Sequence, residues 1–136
     1  MSWRKYDVGL SHVGAYQVSA RPYFTSSLTI PASGSTPLNV AFDSVTKFIV
    51  VTNTLSGGSQ NVPMRVGFSE NGVKGTSSNN YIILNNGESF EADFKVVDIF
   101  LMSDDANQCS ASVVAGLTAI EREKLYQNWT GSAGVG

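Results

Sequence analysis

Reactive side chains are scarce in this 136-residue chain, which holds one histidine, His12, and one cysteine, Cys109. A single thiol makes no internal disulfide, so stability has to come from packing. Zinc asks for three or four histidine, cysteine or carboxylate ligands, a set this chain can hardly assemble. A hydrolase triad would have to use His12, in Gly9-Leu10-Ser11-His12-Val13-Gly14, yet no G-x-S-x-G nucleophile elbow occurs. Ser11 is adjacent, but neighbours on a strand point to opposite faces. His12 therefore reads as a surface or interface imidazole, and Cys109, alternating with Ala111 and Val113, as a small buried residue. Gly72-Val73-Lys74-Gly75-Thr76 lacks phosphate-loop spacing and reads as a hairpin turn. The turns at Asp104, Asp105 and Asn107 and at Glu70 and Asn71 offer oxygens to calcium, but such turns ordinarily face water. We expect no catalytic residues, no cofactor and no metal: a protein that binds or builds.

Charge is also in short supply, at 15% of residues, with nine basic side chains scattered along the chain and a net charge of −2. That leaves no electrostatic footprint for nucleic acid or an anionic membrane surface. No run approaches the roughly 18 apolar residues of a membrane span. Met1-Ser2-Trp3-Arg4-Lys5-Tyr6-Asp7 has basic residues without an apolar run behind them, so we expect no secretory signal and folding in a cytoplasm. For the same reason the triplet Asn128-Trp129-Thr130 reads as a chance match to a glycosylation site.

What the chain has in plenty is short alternating apolar stretches separated by glycine, serine and asparagine. Its length suits one domain burying roughly two-thirds of its unfolded surface. Tyr16 and Val18 share a face in residues 15–20, and Phe24, Leu28 and Ile30 fit a second strand. Leu38, Val40 and Phe42 alternate after the turn at 31–35, so residues 26–42 read as a β-hairpin. Residues 45–54 carry the strongest β signal, a central strand covered on both faces. After the loop at 55–61, Val62, Met64, Val66 and Phe68 alternate, with Pro63 hinting at an edge or a bulge. Asn-Gly pairs at 71–72 and 86–87 predict tight turns around Tyr81-Ile82-Ile83-Leu84. Phe90, Phe94 and Val96 give way to Val97, Ile99 and Leu101 on the opposite parity, as a bulge at 95–97 would produce. Cys109, Ala111 and Val113 form a last strand ending near Gly116.

About eight strands without intervening helices predict an all-β, antiparallel sandwich or jelly roll. The predicted core comprises Tyr16, Val18, Leu28, Ile30, Val40, Phe42, Phe48, Val50, Val66, Phe68, Ile83, Phe90, Phe94, Ile99, Leu101 and Val113. Thr118-Ala119-Ile120-Glu121 matches a capping box and predicts one short helix to about Tyr126. Residues 130–136 have the composition of a flexible tail. The organisation is thus an N-terminal arm (1–12), a β domain (13–116) and a C-terminal helix and tail (117–136). Trp3 and Tyr6 precede the strands, and Tyr126 and Trp129 follow them. Aromatics placed there either pack on their own domain or anchor arms on a neighbouring subunit; we take these four as subunit-interface residues.

Residues 13–19, 42–48 and 65–76, together with Ala115-Gly116-Leu117-Thr118-Ala119-Ile120 and Trp129-Thr130-Gly131-Ser132, resemble small β-rich virion proteins of aquatic bacteriophages and related viruses. The resemblance spans nearly the whole chain and its motifs are structural. It implies a jelly-roll-like subunit on a capsid, a vertex (penton), minor capsid or cement protein, or a tail component. It brings no catalytic residues. The expected partners are the major capsid protein or other virion proteins and further copies of the chain, as a pentamer or trimer, in a virion assembled in the host cytoplasm. The competing expectation is a carbohydrate-binding or receptor-binding sandwich that uses Tyr23, Tyr81 or Trp129 as stacking platforms.

Overall fold

The computed structural model describes residues 21–54, 61–76, 79–125 and 128–136. The N-terminal arm, the predicted strand at 15–20 with Tyr16 and Val18, and most of the 55–61 loop lie outside these residues. Eight strands follow in order among them: β1 (Arg21–Ile30), β2 (Leu38–Ala41), β3 (Ser44–Thr54), β4 (Met64–Gly67), β5 (Tyr81–Leu84), β6 (Ser89–Ala92), β7 (Asp98–Ser103) and β8 (Cys109–Glu121). They form two four-stranded antiparallel sheets, β1-β8-β3-β6 and β2-β7-β4-β5. The protein is an all-β sandwich.

The pairing is nested. β1 pairs with β8, β2 with β7, β3 with β6 and β4 with β5, and the sheets are completed by β3–β8 and β4–β7. The chain therefore changes sheet at almost every connection. This corrects the hairpin expected over 26–42, because β1 and β2 lie in different sheets. Alternation predicts a strand but says nothing of its partner. The crossing is held by Ser103, whose amide donates to Pro31 O at 2.9 Å, and by Ser33, whose amide donates to Asp105 O at 2.8 Å.

The facing sides of the sheets supply the core, with Ile30, Phe42, Ile49, Val51, Met64, Ile99 and Leu101 almost wholly buried. Of the predicted core, Val40, Val66 and Val113 are also buried, and Leu28, Phe68 and Phe90 pack against it half-buried. Four expectations are corrected. β3 carries apolar residues on both parities, and its inward set is Ile49 and Val51, which leaves Phe48 and Val50 half-buried on the outer side. The ring of Phe48 lies against Gly116 so closely that a Cβ there would come within 2.4 Å of it. Ile83 sits on the edge strand β5 and is 45% exposed. Phe94 is 44% exposed because β6 ends at Ala92 and residues 93–97 cross to the other sheet. That crossing, rather than a bulge, reverses the apolar parity near 95–97. Pro63 likewise sits immediately before β4, an interior strand.

The first Asn-Gly turn is also replaced. Residues Glu70–Lys74 form a short helix, α1, capped by Ser69 Oγ, which accepts from Gly72 N–H at 2.9 Å, and closed by Gly75 at φ 71°. Asn86-Gly87 does turn, with Gly87 at φ 83°, and carries the chain from β5 in one sheet to β6 in the other. The predicted C-terminal helix is overridden by tertiary pairing. β8 continues to Glu121 beside β3, and Thr118 Oγ1, expected as a helix cap, donates to Val45 O at 2.6 Å. Among the described residues a 3-10 turn, η1 (Arg122–Leu125), follows. Residues 128–136, of which 130–136 have the composition of a flexible tail, form hydrogen-bonded turns against the body.

Candidate functional site

The C-terminal turns are fastened by Asn128, which is 3% exposed. Its Oδ1 accepts from the amides of Val97 at 2.8 Å and Asp98 at 3.3 Å. Its Nδ2 donates to Phe68 O at 2.8 Å and Asp98 O at 2.9 Å. One side chain thus satisfies four backbone groups where the chain enters β7 and leaves β4, groups that would cost free energy if buried unpaired. Ser69 Oγ ties the far end by donating to Val135 O at 2.8 Å. Val135 O lies so near α1 that a Cβ on Gly72 would sit 2.3 Å from it.

This fastening holds Asn128 at φ 46° and Trp129 at φ 64°. The left-handed region is unfavourable for a residue with a bulky side chain, and it persists only where the surroundings over-determine it. The indole stays 45% exposed, its Nε1–H donating to Lys95 O at 2.9 Å.

The crossover 93–97, to which Asn128 and Trp129 are bonded, is fixed by two further side chains. Thr46 Oγ1 donates to Phe94 O at 2.6 Å and accepts from Val96 N–H at 3.1 Å. Arg122 donates to Phe42 O and Val97 O at 3.0 and 2.8 Å and grips both carboxylate oxygens of Asp98 at 2.9 and 2.8 Å. Between crossover and turns lies an open groove of about 460 Å³, lined by Phe68, Asp93, Phe94, Lys95, Val96, Trp129 and residues 133–135. Two of its lining rings, Phe68 and Phe94, lie 5.5 Å apart edge to face, and Phe90, outside the lining, backs Phe94 at 6.0 Å. A groove with exposed aromatic rings is suited to holding an apolar or aromatic group.

Of the four predicted interface residues, Trp129 alone is described, and it forms one wall of this groove; Trp3, Tyr6 and Tyr126 lie outside the described residues, as does His12. The other two proposed stacking platforms are engaged: Tyr23 packs edge-on against Phe42, and the Arg65 guanidinium lies 4.5 Å from the Tyr81 ring centroid. Phe94 and Asn128 are the functional residues that sequence reasoning misplaced, one as core and the other as a chance triplet. Nothing in the alternation marks the end of β6, and the burial of Asn128 depends on contacts with segments thirty and sixty residues away.

The chemistry of the remaining candidates is muted. Burial pushes the Cys109 thiol up to about 11, against a smaller lowering by its hydrogen bond to Ser103, so it is protonated at neutral pH and a poor nucleophile. Asp104 pairs with Arg65 at 2.6 Å and Glu70 with Lys74 at 3.0 Å, which engages one carboxylate oxygen of each of these two calcium candidates. Among the described residues, no helix is long and apolar enough to cross a membrane. A comparison with protein-family models finds no match to this chain, and a comparison with curated proteins finds none either.

Proposed function

We propose that the chain is a non-enzymatic virion structural protein: a minor capsid component of vertex or cement type, folded as a jelly roll and assembling as a pentamer or trimer with the major capsid protein. The observation that carries this reading is the nested strand pairing, first with last and inward to β4 with β5. It is the pattern of a long antiparallel ribbon wound into two sheets, as in double-Greek-key capsid domains. The sequence resemblance supports it independently. So does the groove at Phe94 and Trp129, which offers a preformed aromatic contact of the kind that concentrates binding energy at subunit interfaces. Closed rotational symmetry is how identical sandwiches ordinarily cover a surface. Locating the chain at a symmetry axis of purified particles tests the proposal. A protein that stays monomeric at high concentration and never enters particles overturns it.

A second reading rests on one observation, the exposed Trp129 indole beside the Asp93 carboxylate, the pairing of stacking face and hydroxyl acceptor that sugars use. Saturable glycan binding abolished by Trp129→Ala would favour that carbohydrate-binding function.

A further inference from the structure

We propose that the groove between Phe94 and Trp129 is the docking site for the N-terminal segment of this chain, residues 1–8, with Trp3 or Tyr6 inserted against its aromatic rings and Arg4 and Lys5 drawn to Asp93. Three observations converge on this occupant. The groove is open and largely apolar, and its rim carries Lys95 and also Asp93, which is in no ion pair among the described residues. The segment Met1-Ser2-Trp3-Arg4-Lys5-Tyr6-Asp7-Val8 has the complementary make-up, two aromatics bracketing two adjacent cations. An indole or phenol fills such a site with large area at little rotamer cost, and a cation beside a carboxylate at its mouth fixes the register.

Reach is the third. β1 begins at Arg21, which pairs with Leu117; Leu117 pairs with Thr46, and Thr46 is bonded to Phe94. Arg21 therefore lies about 15 Å from the groove at ordinary strand spacing. The stretch from Tyr6 to Arg21 spans up to about 50 Å when extended, ample for the groove of the same copy or of a neighbour. The inference does not rest on the virion assignment: absence from particles would leave it standing, and an empty groove would leave untouched the nested strand pairing that carries that assignment.

The test uses the full chain with a photoreactive benzoylphenylalanine at position 94, irradiated and mapped by mass spectrometry. The expected result is cross-linking to residues 1–8, within one copy or, in a mixture of isotopically light and heavy chains, between copies; either places the segment in the groove. Trp3→Ala with Tyr6→Ala should lower the yield at least about tenfold, as loss of hot-spot aromatics does, and Asp93→Asn should lower it less. A circular dichroism spectrum unchanged from the parent shows that each variant is folded. Cross-links that fall instead on position 94 of a second copy, on another segment, or on nothing overturn the proposal, as does a yield indifferent to Trp3 and Tyr6.

Discussion

Asn128 makes four side-chain hydrogen bonds beside the groove, as many as Arg122. Replacing it with alanine leaves the amides of Val97 and Asp98 and the carbonyls of Phe68 and Asp98 without partners. Buried groups left unsatisfied cost about 1–3 kcal/mol each, less where water enters. Asn128→Ala is expected to lower stability by about 2–4 kcal/mol in urea denaturation and to release the Trp129 indole, seen as a red-shifted fluorescence component. Gly116 makes a different demand. Any Cβ there meets the Phe48 ring, so Gly116→Ala should cost about 1–3 kcal/mol as overpacking, and Phe48→Leu in the same chain should recover part of the loss. Cys109 sets a pH limit. Its folded pKa is raised from 9.0 to about 11, so the unfolded chain ionises first. The stability that the buried neutral thiol contributes is complete below pH 9 and is lost as pH rises toward 11. Cys109→Ala should flatten that part of a stability–pH curve.

The strands themselves were legible, because alternation reports a buried face directly. β1, β3 and β7 fall where the apolar periodicity puts them, β8 does so from Cys109 to Gly116 before running on to Glu121, and the richest β segment is an interior strand. What alternation lacks is the identity of the partner and the point where a chain leaves its sheet. Hence alternation places Phe94 in the core, reads the parity reversal at 95–97 as a bulge, and pairs β1 with β2 as a hairpin. Thr118–Glu121 failed for a related reason. Its local capping signal is genuine, but the backbone bonds offered by β3 outweigh the few available to a single helical turn. The groove was half legible: Trp129 stood out by composition, whereas the exposure of Phe94 depended on a crossing that no local pattern announces. α1 carries an element-scale prediction. Ser69 both caps the helix and holds Val135 O, so Ser69→Ala should cost about 1–2 kcal/mol and loosen the C-terminal turns, detectable as faster amide exchange at Val135 and Gly136.

For the molecule as a whole, assembly and folding should be separable at the groove. Phe94 and Trp129 are close to half exposed and support little of the core. Phe94→Ser with Trp129→Ala is expected to leave the urea midpoint nearly unchanged while weakening oligomer formation by about tenfold or more, read by analytical ultracentrifugation. Deleting residues 128–136 should behave otherwise, lowering the melting temperature because Asn128 goes with them. The nested pairing also sets a timetable. Each outer pair joins strands far apart in sequence, and β8 lies between β1 and β3, so the sheet that contains it cannot close until the last strand is available. Such long-range closure makes folding slow and exposes strand edges while it waits. On a ribosome, β1 and β3 would emerge long before the strand that separates them, leaving a gap one strand wide in a half-built sheet. A nascent or truncated chain therefore presents unfilled edges rather than a finished surface, and only a chain synthesised through Glu121 completes the closed sandwich.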